Sequence, residues 1–199
     1  MSIILARHGQ TELNAEKRIL GVVDSPLTGR GKAAAESLAG VLGTMKIDRS
    51  FASPLGRAQA TARILTRDLD LEVAPRPEMA ELSAGDWEGK TRVETIGEDA
   101  PIRRDWLFRP PEGESYQDGT NRLIPFVEEL RELSGTTLVV GHFAINRCFL
   151  QSWLALEPDL VMTVDIPHEA FYLLEEDGGI SWIDNQGGQG QGFLDWEYF

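Results

Sequence analysis

The feature of the sequence that best indicates the fold is its N-terminal segment, Ser2-Ile3-Ile4-Leu5-Ala6-Arg7-His8-Gly9. Residues 2–6 form a short apolar run, which predicts a buried strand. Arg7 and His8 follow that strand directly. In an open α/β sheet, ligands bind in the crevice at the carboxyl ends of the strands. The stretch therefore predicts a basic side chain and an imidazole at a ligand-binding edge of a sheet.

Two other predicted strands end in residues of similar chemistry. Residues 136–140 are apolar and rich in β-branched side chains, and Gly141-His142 follows them at once. Residues 48–52 are read as another strand, and Ser53-Pro54 after it predicts a helix with Ser as N-cap and Pro at its first position. Arg57 then lies in the first turn, where its guanidinium and the helix N-terminus can face one anion. The two histidines can meet at two such strand ends.

The rest of the chain alternates helical spacing with strand-like runs, which predicts an α/β fold with helices on both faces of a sheet. Helical faces are expected at Ala34-Leu38-Val41-Met45, Ala58-Ala62-Leu65-Leu69, Leu123-Val127-Leu130 and Ile145-Phe149-Trp153. Pro125 is expected in the first turn of its helix or at a bend. Residues 170–174 and 180–183 are expected to form a hairpin. Residues 83–120 are irregular, and the Gly/Gln run 185–192 is expected to be a mobile surface segment.

The composition limits the classes of function. A chain of 199 residues suits one domain, expected to span 1–199. The net charge of -13 repels nucleic acid and anionic membranes, so neither is expected as a partner. No apolar run reaches the length of a membrane span, and the N-terminus lacks the pattern of a signal peptide. Together with the single Cys148, these features favour the reducing environment of the cytoplasm.

Six blocks of sequence follow one another in a characteristic order. They are residues 7–14, 21–31, 53–61, 81 with 85–89, 111–115, and 141–142 with 146–147. In this order they resemble the histidine phosphatase superfamily, the phosphoglycerate mutase-like proteins. One Arg-His-Gly would carry little weight, but the ordered set spans about three quarters of the chain. The resemblance implies a three-layer α/β/α domain with a mainly parallel sheet.

The resemblance also implies a role for each matched residue. His8 is expected to be the nucleophile, with one ring nitrogen unprotonated and the other donating to a carbonyl. Glu81 is expected to act as acid and then base, and His142 to stabilise the transferred phosphoryl group. The residues expected to bind that group are Arg7, Asn14 and Arg57. Since the arginines supply the positive charge, the resemblance implies neither a metal nor a cofactor.

Three functions stay open at this level. A metal-independent phosphatase of a small phosphorylated metabolite ranks first, because the middle region is shorter than in the cofactor-dependent phosphoglycerate mutases, which rank second. A non-catalytic phospho-ligand binder ranks third, because the residues with catalytic roles, His8, Glu81 and His142, are all present. The sequence specifies neither the physiological substrate nor whether the chain forms a homo-oligomer.

Several other residues have two interpretations. Phe143, next to the second histidine, either narrows the mouth of the pocket or covers the bound phosphate, and the sequence does not decide between them. Arg103-Arg104 and Arg109 either bind a second anionic group or lie in a solvated, ion-paired loop, and the loop is favoured. A structural or rim role is favoured for His168. Trp87 is expected to be a packing anchor rather than a substrate-stacking ring.

Overall fold

The computed structural model describes residues 1–97 and 105–195. The strands are β1 (Ser2–Arg7), β2 (Arg49–Ala52), β3 (Val73–Pro75), β4 (Thr136–Gly141), β5 (Ala170–Leu174), β6 (Ile180–Asp184) and β7 (Gln189–Gln191). The α-helices are α1 (Glu12–Ala15), α2 (Gly29–Leu42), α3 (Gly56–Leu65), α4 (Arg92–Ile96), α5 (Tyr116–Arg131), α6 (Phe143–Leu154) and α7 (Pro158–Val161). Two short 3₁₀ turns cover Pro77–Met79 and Gly85–Trp87.

In the described part of the chain, seven strands form one sheet in the order β3-β2-β4-β1-β5-β6-β7. The first four strands of that order are parallel to one another. The last three are antiparallel to their neighbours. The predicted α/β fold with a mostly parallel sheet core is confirmed, and β5 and β6 are the predicted hairpin.

The central strand β1 shows how the sheet separates two layers of core. Successive side chains point to opposite faces of a strand. Ile3 and Leu5 pack into the cluster that contains the apolar faces of α5 and α6. Ile4 and Ala6 pack into the cluster that contains those of α2 and α3. All four side chains are buried, which explains why the strand reads as a continuous apolar run rather than an alternating one.

The register of the parallel strands brings three chain segments to the same edge of the sheet. Arg7 at the end of β1 pairs with Gly141 at the end of β4. On the other side of β4, Ala52 at the end of β2 pairs with Val140. The next residues along these three strands, His8, Ser53 and His142, therefore leave the sheet side by side.

The structure corrects three local predictions. Helix α3 begins at Gly56 with Leu55 as its N-cap, so Ser53 is not the cap. Helix α5 begins at Tyr116, so Pro125 lies inside the helix, and of its two predicted positions the first turn is excluded. This earlier start is explained by a capping box, in which Ser115 and Asp118 satisfy each other's backbone N–H groups.

The third correction concerns the Gly/Gln run. Residues 189–191 form the edge strand β7, paired antiparallel to β6. The prediction of a mobile segment was therefore wrong for these residues.

Within residues 1–97 and 105–195, no helix has both the length and the apolar composition needed to cross a bilayer.

Candidate active site

The rings of His8 and His142 lie against each other at the carboxyl edge of the sheet. Their centroids are 5.0 Å apart. Both side chains are almost completely buried, with exposed fractions of 2% and 0%. The prediction that two histidines distant in sequence meet at neighbouring strand ends is confirmed, because β1 and β4 are adjacent and in register.

Hydrogen bonding sets the tautomer of His8. Its Nδ1 lies 2.8 Å from the carbonyl oxygen of Gly9. Since a carbonyl only accepts, Nδ1 carries the proton and Nε2 keeps its lone pair. Burial, followed by the electrostatic interactions with His142 and Arg7, holds the pKa of His8 well below its usual value of 6.5. The imidazole is therefore neutral near pH 7, the form that a nucleophile requires.

Ser53 is the hydrogen-bond partner of His142. The Ser53 hydroxyl oxygen lies 2.7 Å from His142 Nε2 and accepts from the backbone N–H of Leu55 at 3.3 Å. The hydroxyl keeps a second lone pair, so it either donates to Nε2 or accepts from it; when it donates, the His142 proton lies on Nδ1. Among the described residues, that buried Nδ1 has no hydrogen-bond partner. Burial, followed by the charges of Arg57 and Arg7, holds the pKa of His142 well below 6.5.

Arg57 is a buried cation clamped by one loop. Its Nη2 donates to the carbonyl of Gly21 at 2.7 Å and its Nη1 to that of Val23 at 2.8 Å. Its backbone N–H donates to a carboxylate oxygen of Asp24 at 3.1 Å. Burial lowers the pKa of Arg57, while nearby Glu81 and Asp24 oppose that shift. Nε is buried without a partner among the described residues, so one donor is left for a ligand.

Arg7 approaches the histidines from the other side. Its Nη1 donates to the carbonyl of Ile166 at 2.9 Å, and its guanidinium carbon lies 5.0 Å from the centre of the Phe143 ring. Burial lowers the pKa of Arg7 to about 10, so the side chain remains charged at neutral pH. Its Nε, like that of Arg57, is buried and lacks a partner in the described part of the structure.

Glu81 is held at the N-terminus of α6. Its two carboxylate oxygens accept from the backbone N–H groups of Ala144 at 3.1 Å and Ile145 at 2.9 Å. A third bond, from the N–H of Leu82, is 2.9 Å long. Because α6 begins directly after His142, this arrangement ties the carboxylate to the second histidine.

Asn14 lines the same cavity from α1. Its Oδ1 accepts from both the backbone N–H and the hydroxyl of Thr11, at 3.1 and 2.9 Å. These two bonds occupy the acceptor side of the amide. The orientation leaves the Nδ2 donor for a ligand.

The structure reveals a contact to the nucleophile candidate that the sequence did not indicate. His168 Nδ1 lies 2.5 Å from the carbonyl oxygen of His8, and the two rings meet edge to face with centroids 5.2 Å apart. Since the carbonyl accepts, Nδ1 donates. Burial, followed by Arg7, lowers the pKa of His168 to about 3. Of the structural or rim role favoured for His168, the structure thus shows a specific contact, a hydrogen bond to the backbone of His8. No motif in the sequence indicates this contact.

A cavity of about 370 Å³ opens from this cluster. At its inner end lie Arg7, His8, Asn14, Arg57 and Glu81. Its remaining walls include Ile19, Leu20, Leu82, Trp87, Phe108, Pro110, Tyr116 and Phe143. Phe143 therefore forms part of the wall, with Arg7 on one side and the guanidinium of Arg147 4.2 Å from its ring centre. Trp87 lies in the wall as well, where it packs on Phe108 with centroids 5.5 Å apart.

Other predicted residues have simpler roles. Arg109 is exposed and paired with Asp118, as favoured from the sequence. Arg103 and Arg104 lie outside the described residues. Cys148 is fully buried, and burial raises the pKa of its thiol. Within the two described ranges, no group of three or more His, Cys, Asp or Glu side chains is arranged to hold a metal ion.

Comparison with known proteins places this geometry in a family. The sequence matches the Histidine phosphatase superfamily (branch 1) over residues 3–185. It is 35% identical to the adenosylcobalamin/alpha-ribazole phosphatase of Escherichia coli (strain K12) in an alignment 149 residues long that covers 71% of this chain and 73% of that protein. It is 33% identical to "Probable phosphoglycerate mutase GpmB" of Enterobacter sp. (strain 638) in an alignment 164 residues long that covers 78% of this chain and 76% of that protein.

A solved structure agrees with the sequence comparison. The mycobacterial glucosyl-3-phosphoglycerate phosphatase, solved with VO3, superposes with a TM-score of 0.80. The alignment covers 98% of this chain and 99% of that one, at 25% identity. The match spans the strand ends that carry both histidines. The chain therefore belongs to the histidine phosphatase superfamily.

Proposed function

We propose that the protein hydrolyses a small phosphomonoester without a metal ion, by way of a phosphohistidine on His8. One observation carries the proposal. Three buried nitrogens near the neutral His8 ring lack a partner among the described residues: Arg7 Nε and Arg57 Nε, which are donors, and His142 Nδ1, which is a donor when Ser53 donates to Nε2. Unpaired buried donors are costly, and a phosphoryl group would satisfy all three. The two cations would balance its charge.

In the first step, the lone pair on His8 Nε2 attacks phosphorus, and the bond from phosphorus to the alcohol oxygen breaks. Arg7 and Arg57 bind the phosphoryl oxygens, and His142 donates from Nδ1. The leaving oxygen takes a proton from Glu81, which enters this step as the carboxylic acid. The bond from His8 Nδ1–H to Gly9 stabilises the ring as it becomes positively charged.

In the second step, water attacks the phosphorus atom and the bond from phosphorus to His8 Nε2 breaks. Glu81, now ionised, accepts the proton that the water loses. Inorganic phosphate leaves, and both His8 and Glu81 return to their starting protonation states. Each step requires that the carboxyl of Glu81 reach the reacting oxygen, which is consistent with its place at the inner end of the cavity.

A phosphoglycerate mutase is the second candidate, and the 33% identical relative named as such supports keeping it. A mutase returns the phosphoryl group to an organic acceptor, whereas a phosphatase admits water. We rank hydrolysis first because the middle region is short, which favours the entry of water. A purely phospho-ligand-binding role ranks lower, since the proposed nucleophile and the proposed acid both line the cavity. We place the activity in the cytoplasm, on the basis of composition.

Release of nitrophenol from p-nitrophenyl phosphate tests the proposal. His8→Ala is expected to lower kcat by roughly 1000-fold or more, as removal of a covalent nucleophile does in other enzymes. Lys46→Ala is the matched control, because Lys46 is exposed and pairs only with Asp48 among the described residues. Equal rates for wild type and His8→Ala would reject the nucleophile. Interconversion of 2- and 3-phosphoglycerate faster than phosphate release would favour the mutase.

A further inference from the structure

We propose, on the basis of the proposed function, that the outer part of the catalytic cavity is an aromatic subsite. It would select phosphomonoesters whose alcohol carries a neutral aromatic or similarly apolar group, and it would disfavour substrates with a second negative charge. The subsite is formed by Trp87 and Phe108 in the wall of the cavity, with Phe143 between them and the phosphate end, where it packs against Arg7.

The aromatic walls leave ring surface available to a ligand. Trp87 and Phe108 are tilted by 34° with centroids 5.5 Å apart, and both side chains are partly exposed. Aromatic rings interact favourably at such separations in offset or edge-to-face arrangements. A ring that entered the cavity could therefore pack against them. At about 370 Å³, the cavity lies within the range of small-molecule sites, so it can hold more than the phosphoryl group.

The wall that carries Trp87 is built rigidly. Gly85 adopts a φ of +54°, and a Cβ there would lie 2.0 Å from the carbonyl oxygen of Pro111. The backbone N–H of Asp86 donates to that same carbonyl at 3.0 Å. The turn before Trp87 is thus in close contact with the segment after Phe108. A preorganised wall loses less entropy when a ligand binds than a mobile one.

The charges in the lining offer little to a second anion. Asp105 and Glu114 contribute carboxylates, of which Glu114 is paired with Arg122 at 3.3 Å. Beyond Arg7 and Arg57, the cation in the described lining is Arg18, and it is already engaged. Arg18 donates to Glu16 at 2.9 Å and to the carbonyl of Gly89 at 2.8 Å, and lies 3.6 Å from Glu94. Within the described lining, a carboxylate or second phosphate on the substrate would meet the carboxylate of Asp105 and no cation beyond those already engaged.

The test compares three phosphate esters of alkyl alcohols: 2-phenylethyl phosphate, ethyl phosphate and 3-phosphoglycerate. Because all three leaving groups are alkoxides, differences in kcat/KM reflect the subsite rather than the leaving group. We expect kcat/KM to be about tenfold higher for 2-phenylethyl than for ethyl phosphate, with 3-phosphoglycerate lowest. Trp87→Ala is expected to reduce the ratio of the first two to roughly twofold, and Trp87→Phe to retain most of it. Thermal unfolding of both variants checks that the ratio is measured on folded protein.

Failure of the subsite proposal and failure of the proposed phosphatase function give different results in this experiment. Equal kcat/KM for 2-phenylethyl and ethyl phosphate, or faster turnover of 3-phosphoglycerate, would overturn the subsite while leaving the phosphatase intact. If wild type hydrolyses none of the three, the proposed function fails. The subsite is then judged by calorimetry with His8→Ala, which should bind 2-phenylethyl phosphate about tenfold more tightly than ethyl phosphate. Equal dissociation constants there would also overturn it.

Discussion

The two ends of the catalytic cavity are built in different ways. At the inner end, His8 and His142 follow adjacent parallel strands, are almost fully buried, and are hydrogen-bonded to Gly9 and Ser53. At the outer end, Trp87 and Phe108 come from turns between the regular elements and are partly exposed. The sheet thus positions the groups proposed for chemistry, while the connecting segments form the surface proposed for selectivity. Changes at the inner end should therefore affect all substrates, and changes at the outer end only some.

The largest effect is expected for Glu81→Gln at the inner end. The amide cannot donate a proton to an alkoxide, so kcat/KM for ethyl phosphate should fall by about 1000-fold. For p-nitrophenyl phosphate the loss should be much smaller, because nitrophenolate leaves without protonation. Steady-state kinetics with both substrates measures the difference. A similar loss for the two esters would contradict the role of Glu81 as acid.

The second prediction concerns how the free energy of unfolding depends on pH through the histidines at and beside the inner end. Burial lowers the pKa of His8, His142 and His168 in the folded protein, so only the unfolded chain takes up these protons as the pH falls below about 6.5. The unfolded state then binds more protons, and the free energy of unfolding decreases toward acid. Above pH 7 both states are neutral at these rings, and the contribution is constant.

Urea unfolding between pH 7 and 5 measures this linkage. Three histidines give a slope of up to about 4 kcal/mol per pH unit below pH 6. His168→Asn should reduce the slope by about 1.4 kcal/mol per pH unit, since it removes one of the three sites. A slope that is the same in wild type and His168→Asn would show that His168 titrates alike in the folded and unfolded states.

A smaller effect is expected from His168 on catalysis, because it acts through the backbone of the proposed nucleophile. Loss of its bond to the His8 carbonyl in His168→Ala should lower kcat by roughly tenfold and leave KM nearly unchanged. His168→Asn, whose amide can still donate, should recover part of the rate. Equal effects of the Ala and Asn substitutions, or a change confined to KM, would argue against positioning of His8.

The smallest effect is expected from removal of metal ions. Because Arg7 and Arg57 are proposed to neutralise the phosphoryl group, dialysis against EDTA should change kcat for p-nitrophenyl phosphate by less than about twofold. A buffer exchange without chelator is the control. Loss of activity that a divalent ion restores would require a different account of the inner end.

The inner end was also the part of the molecule that could be predicted from sequence. Arg7-His8-Gly9 and Gly141-His142 each follow a recognisable apolar strand, and the ends of neighbouring parallel strands converge by geometry. Ser53 lies in a recognised block, but its contact with His142 was missed because local capping rules favoured an N-cap role. A local rule takes no account of a partner supplied by another strand.

The outer end and the last strands were less predictable for a related reason. Trp87 was expected to be a packing anchor and does pack on Phe108, but nothing in the neighbouring sequence indicates that both rings line a cavity. Residues 189–191 have the composition of a loop, yet they pair with β6 because the edge of the sheet offers free backbone groups. The contact of His168 with His8 likewise depends on tertiary structure alone.

The most direct measurement is to trap the covalent intermediate. Wild-type protein is mixed with a ³²P-labelled phosphomonoester, quenched in base within the first turnover, and digested for peptide mapping. We expect an acid-labile, base-stable label on the peptide that contains His8, and no such label in the His8→Ala variant. Label on another residue, or rapid turnover in single-turnover experiments with no label at any time, would contradict transfer of the phosphoryl group to His8.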